Sequence, residues 1–284
     1  MNRRALLLGP ALFGLLLTAC GDDAADGGAV STTIAPPPTS TTTTTVAPTS
    51  VPPPTSVAPQ PPPGGSLDVL VLGDSVMFDA SAAIEAAVES GGGAEVASSA
   101  IFGFGFSDGA AVPFSAMAPD ILAASPAAQV VVMVGSWDHL AVQRDPEAYA
   151  AAVRRALEQM AANGRSVLLL GEPPSDPQKG EEEARLALDE ILATEAATVA
   201  RVRYLPTDTV IGDADGAYTA TAGGQLLRKP DGRHLCPAGA ARFGTAVQDA
   251  LSEDWALPAA DPAWASGAWR TDPRYDDPPG ACTG

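Results

Sequence analysis

The chain has 284 residues and a formal net charge of −18, with 16 Lys and Arg against 34 Asp and Glu. That balance argues against a nucleic-acid partner, which needs a surplus of cations to displace phosphate counterions. An acidic surface of this kind serves mainly for solubility. Two histidines and three cysteines, with no ligand cluster at suitable spacing, give no basis for a metal centre, and no metal or organic cofactor is expected.

In chain order, Arg3 and Arg4 open a positive segment. Ala5 to Leu17 follows as an apolar run too short for a comfortable membrane span. It ends in Leu17-Thr18-Ala19-Cys20, which resembles the lipobox of bacterial lipoproteins, whose cysteine becomes the lipidated first residue. Residues 1–20 are therefore expected to be a lipoprotein signal, with Cys20 the lipidation site; an ordinary secretory signal with an incidental cysteine is the alternative. Residues 21–64 are rich in Thr, Pro, Ser and Ala and nearly free of large apolar side chains, so nothing there offsets the entropy of ordering the chain. They read as an extended tether that holds a domain at cell-wall depth. No other stretch is apolar and long enough to span a bilayer. The expected location is outside the cytoplasm, with contact to the membrane by the lipid anchor alone or, in the alternative, a secreted protein.

Residues 65–284 suffice for one domain with a sizeable core. Apolar runs of strand length alternate with Ala-rich stretches of helical period. The predicted strands are Leu67–Leu72, Glu95–Ser99, Gln129–Val134, Ser166–Leu170 and Val202–Leu205. The predicted helices are Ser75–Glu89, Pro146–Ala162 capped by Asp145, Glu181–Val199 and Pro237–Leu251. This alternation predicts a three-layer α/β/α fold around a parallel five-stranded sheet of the flavodoxin-like kind. Ligand sites in such sheets lie beyond the carboxyl ends of the strands, where Ser75, Gly103 and Trp137 all fall. Ala220 to Lys229 reads as a surface excursion. Cys236 and Cys282, in an oxidising compartment, read as a disulfide closing a loop of about 45 residues, worth ~3–4 kcal/mol in the loop-entropy description.

A serine hydroxyl needs a base to take its proton and a group to orient that base. Ser75 follows the first strand. His234 lies three residues after Asp231, so one turn of backbone lets the Asp231 carboxylate reach Nδ1 and leaves Nε2 for the serine. The bland reading of Pro230-Asp231-Gly232 is a surface turn.

Gly73-Asp74-Ser75, Gly103 in the second block, and Asp231-Gly232-Arg233-His234 together resemble the SGNH (GDSL) hydrolase family over roughly residues 67–252. The resemblance implies an α/β/α hydrolase fold, Ser75, His234 and Asp231 as the catalytic side chains, and an oxyanion hole from the N–H groups of Ser75 and Gly103, with Gly103 preferred to Gly105. The family's third block reads Gly-x-Asn-Asp; here it is Gly135-Ser136-Trp137-Asp138. Either the Trp137 indole N–H replaces the amide as a donor, or the site works with two backbone donors and Trp137 is a pocket wall; a lost donor commonly costs ~2.7–4 kcal/mol of transition-state stabilisation. A similar Trp occurs in SGNH domains linked to acyltransferases of surface polysaccharides. Asp138 and His139 are weaker candidates for a substrate rim, as is Glu172; for His139 a packed or solvated loop position is the competing reading. Asp74 reads as a loop hydrogen-bonder. Trp255, Trp264, Trp269 and Tyr275 in the Pro-rich tail could stack on sugars, but packing of the tail onto the domain is the preferred reading. The implied function is a serine esterase or O-acyltransferase acting on an ester or acylated glycan. Its alternative is a catalytically weak envelope-binding module that keeps the fold.

Overall fold

The computed structural model describes residues 58–283. The expected signal, Cys20 and residues 21–57 of the expected tether lie outside the described residues. Five strands, β1 (Leu67–Gly73), β2 (Ala94–Ala100), β3 (Gln129–Met133), β4 (Ser166–Leu170) and β5 (Val202–Leu205), pair in parallel in the order β2-β1-β3-β4-β5. The helices are α1 (Ser75–Ser90), α2 (Phe114–Ala124), α3 (His139–Arg144), α4 (Pro146–Ala161), α5 (Glu182–Ala196), the single turn α6 (Asp208–Ile211) and α7 (Pro237–Asp254).

β1, β3 and β4 are apolar at nearly every position because both faces of a parallel sheet are covered. Successive side chains alternate between those faces. Val69 and Val71 pack with α1 and α7, whereas Leu70 and Leu72 pack with α2, α4 and α5. The α1–α7 contact is close enough that a Cβ on Gly244 would lie 2.7 Å from the Ala83 carbonyl oxygen. Asp74 caps α1 by accepting from the Val76 and Met77 N–H groups at 2.9 and 3.3 Å, and Asp145 caps α4 through the Ala148 N–H at 3.0 Å. Beyond α4 the chain turns at Asn163 in the left-handed region, φ 59°.

Three features depart from the sequence expectations. α2 forms despite Pro119 within it; an interior proline costs ~3 kcal/mol, and here Phe114, Ala118 and Leu122 are buried against the sheet while the Phe114 ring meets Phe104 and Phe106 at 6.3 and 5.7 Å. Ala220–Lys229 is a surface excursion only as far as the Gly223-Gly224 hairpin turn, since Leu227, Arg228 and Lys229 are buried. The last residues of the expected tether lie along the domain: the Gln60 N–H donates to Asp254 C=O at 2.9 Å and the Ala256 N–H to Gln60 C=O at 2.8 Å.

Cys236 and Cys282 form a disulfide with Cα atoms 5.4 Å apart. It fixes the C-terminal tail beside the start of α7. The tail's aromatic residues pack: Trp264 and Trp269 stack at 6.0 Å against the α1–α7 face, and the Trp255 indole N–H donates to Gln129 Oε1 at 2.9 Å. Among the described residues, no helix is long and apolar enough to cross a membrane.

Candidate active site

Parallel pairing brings every strand's carboxyl end to one edge of the sheet. The turn Gly73-Asp74 delivers Ser75 at the start of α1, the loop after β2 delivers Phe102 and Gly103, and the loop after β3 delivers Trp137. The loop before α7 returns across this edge with Asp231 and His234. These six residues line one cleft of about 370 Å³, completed by Lys229 and by the tail residues Asp277 and Pro278.

Within the cleft, His234 Nε2 lies 2.8 Å from Ser75 Oγ, and His234 Nδ1 lies 2.5 Å from Asp231 Oδ2. The other Asp231 oxygen accepts the backbone N–H groups of Arg233 and His234, each at 3.0 Å. The expected turn is present: Gly232 has φ +73° and its N–H donates to Lys229 C=O at 2.9 Å. That turn is what swings the Asp231 carboxylate back against the His234 ring. Burial alone raises the Asp231 pKa, but hydrogen bonds from the His234 ring and from the two N–H groups more than reverse it, leaving the carboxyl well below the usual carboxylate range. Because the folded pKa is depressed, the interaction holds through neutral and mildly acidic pH and is lost only as pH falls through that low value.

Gly103 adopts φ +89° and its carbonyl accepts the Val112 N–H at 2.9 Å. A Cβ at this position would lie 2.7 Å from the Ala111 Cβ, so glycine is required by both backbone and space. Among the described residues, neither the Ser75 N–H nor the Gly103 N–H has a backbone acceptor. Gly105 does not line the cleft; it packs on Asp138, where a Cβ would sit 2.5 Å from Oδ1. Trp137 is 47% exposed.

The sequence model of a family described as "Protein of unknown function (DUF459)" matches residues 68–250. The chain belongs to the DUF459 family. No curated protein matches the sequence. Two solved variants of Axe2, an acetylxylan and acetyl-xylooligosaccharide esterase from Geobacillus stearothermophilus, share this DUF459 fold. One is 15% identical and covers 67% of this chain and 97% of its own, at TM-score 0.50; the other is 14% identical and covers 71% and 98%, also at 0.50. A protein assigned to the G-D-S-L lipolytic family from Desulfitobacterium hafniense is 20% identical over 65% of this chain and 99% of its own, at TM-score 0.49. The DUF459 chain thus has the five-stranded parallel α/β/α fold of SGNH hydrolases.

Other expected site residues of this DUF459 chain lie elsewhere. Asp138 is fully buried rather than on a rim, because its carboxylate accepts the Phe106 N–H (2.8 Å), the Ser107 N–H (3.0 Å) and the Tyr149 hydroxyl (2.9 Å), stapling the second-block loop to the third block and α4. His139 is also buried, with Nε2 2.5 Å from Glu172 Oε2, and Glu172 is buried with it. Neither residue lines the cleft. Among the described residues, no group of three or more His, Cys, Asp or Glu is placed to hold a metal ion.

Beneath the cleft lies a set of buried acids. Burial, and then the neighbouring Glu172, push Asp74 up to about 6, against the two capping N–H bonds. Burial likewise pushes Asp189 up to about 7, although it accepts the Glu172 N–H and pairs with Arg185. A raised carboxyl pKa means that the folded state binds protons more tightly, so stability falls as pH rises through the window between the ordinary carboxylate value and these raised ones. The melting temperature is therefore expected to rise by several degrees from about pH 8 to about pH 5. A flat or opposite trend by calorimetry would contradict this assignment of the buried acids.

Sequence reasoning missed Asp79 and Lys229. Asp79 lies one helical turn beyond Ser75, and its buried carboxylate accepts the Leu235 N–H at 2.9 Å and pairs with Lys229 Nζ at 3.3 Å. The Lys229 N–H donates to His234 C=O at 2.8 Å, and its Nζ to Arg274 C=O at 2.8 Å. The Tyr275 hydroxyl closes the set on the Asp79 carbonyl at 2.8 Å. An acid four residues after the serine, on the same helix face, and a lysine five residues before the histidine were the available signals.

Proposed function

We propose that this DUF459 chain is an SGNH-type serine esterase or O-acyltransferase that acts outside the cytoplasm on ester-linked acyl groups of cell-envelope glycans, held to the membrane through a lipid on Cys20. The observation that carries the enzymatic reading is the line from Ser75 Oγ through the His234 ring to Asp231, 2.8 Å at one end and 2.5 Å at the other. Asp231 accepts from Nδ1–H, which leaves Nε2 unprotonated toward Ser75. Ser75 Oγ attacks the ester carbonyl carbon as its proton passes to Nε2. The Ser75 and Gly103 N–H groups hold the negative charge that develops on the carbonyl oxygen. Collapse expels the alcohol, which takes the proton from Nε2, and leaves the acyl group on Oγ. Water, or a sugar hydroxyl in the transferase variant, gives its proton to Nε2 and takes the acyl group, and Ser75 Oγ leaves with the proton from Nε2, restoring both side chains.

Trp137 acts in this scheme as a wall of the cleft. An acylated glycan substrate fits the activity named for Axe2, an acetyl-xylooligosaccharide esterase with the same fold. Purified protein should release p-nitrophenol from p-nitrophenyl acetate and acetate from acetylated xylo-oligosaccharides. No turnover of either at neutral pH would overturn the enzymatic reading.

A further inference from the structure

A second groove of about 290 Å³ lies on the other side of Trp137, whose half-exposed side chain lines both this groove and the catalytic cleft. Its remaining walls differ in character. Leu140, 61% exposed, lies on the groove with Trp137, and Ala148 of α4 forms part of the lining. Arg144 and Arg155 border it with exposed guanidinium groups that make no salt bridge among the described residues, although the chain carries a net charge of −18. Ser107 also borders it: this residue is 6% exposed, its N–H is engaged by Asp138, and its hydroxyl has no hydrogen-bond partner. A buried hydroxyl without a partner is unfavourable by itself, and a χ1 rotation toward the groove would let a polar ligand group compensate it.

We propose that this groove is a glycan subsite, which binds a sugar ring of the chain that carries the acyl group while the ester sits over Ser75. The proposal rests on the esterase reading and deepens it by assigning the place where the glycan part of the substrate binds. A sugar ring has one apolar face and a polar edge. Trp137 and Leu140 supply an apolar platform for the face, and the two arginines, with Ser107 once its hydroxyl has rotated toward the groove, supply partners for the edge hydroxyls. An acyl chain would leave the Ser107 hydroxyl and the arginines uncompensated, and so fits less well. The arrangement also gives a physical role to tryptophan where the third block usually has asparagine: it is the shared wall that joins the two clefts.

Binding is measured calorimetrically on full-length Ser75→Ala protein, so that turnover is not required, with xylotetraose, chitotetraose and cellotetraose as probes. At least one should bind saturably, and Ala148→Trp, which fills the groove, should weaken that binding at least ~10-fold. Arg155→Glu, a change at an exposed side chain that leaves the core intact, should weaken it several-fold with an unchanged melting temperature. No binding by any of the three sugars would overturn the subsite, as would binding that both groove variants leave undiminished. A wild-type preference for p-nitrophenyl octanoate over the acetate that Ala148→Trp abolishes would assign the groove to an acyl chain instead. Loss of turnover with sugar binding intact would count against the esterase reading alone.

Discussion

Replacing His234 by alanine is expected to lower kcat on p-nitrophenyl acetate by on the order of 10⁴–10⁶-fold, with KM little changed. The imidazole is the group within hydrogen-bond distance of Ser75 Oγ that can take its proton, at 2.8 Å. Without it the hydroxyl stays protonated and weakly nucleophilic at neutral pH. Ser75→Ala should cost about as much, and the double variant little more than either, because the two side chains act in one step. Asp231→Asn should cost less than losing His234. The amide can still hold the ring, but it can present its N–H to Nδ1, favouring the tautomer that points a proton at Ser75. A His234→Ala protein within tenfold of wild type would show that the meeting of these residues is not what drives turnover.

The second large effect concerns stability. Lys229→Met should destabilise the domain by about 3–5 kcal/mol, because it leaves the Asp79 carboxylate buried without its ion-pair partner. Both side chains are below a tenth exposed, and burial already raises the Asp79 pKa against the pull of Lys229. The loss should lower the melting temperature by roughly 10 °C. Adding Asp79→Asn to Lys229→Met should recover part of it, since the asparagine is neutral and its oxygen still accepts the Leu235 N–H. A Lys229→Met variant as stable as wild type, or a double variant less stable than the single one, would contradict this account. The pair also ties the Ser75 helix to the His234 loop and to the tail.

What could be read from the residues and what could not follow from range. Strands such as Gln129–Met133 are buried on both faces and announce themselves by unbroken apolar character. Ser75, Asp231 and His234 stand out because each falls in a short block, and the blocks come in an order that places them on one sheet edge. α2 was hidden by Pro119, since its stability comes from phenylalanines that meet only after folding. Asp138 reads as a rim residue because it belongs to the third block, at the ligand edge of the sheet; its partners Phe106 and Ser107 are more than 30 positions away. The Asp79–Lys229 pair spans 150 positions, and no local pattern encodes that. The second groove depends on an unpartnered Ser107 hydroxyl, a property of packing that a sequence does not display.

The central claim is that Ser75 is a nucleophile activated by His234. A fluorophosphonate probe tests it most directly, with the labelled peptide located by mass spectrometry. The account predicts one label per chain, on Ser75, absent in Ser75→Ala and slowed by several orders of magnitude in His234→Ala. A folded wild-type protein that takes no label, or one labelled equally fast without His234, would contradict it.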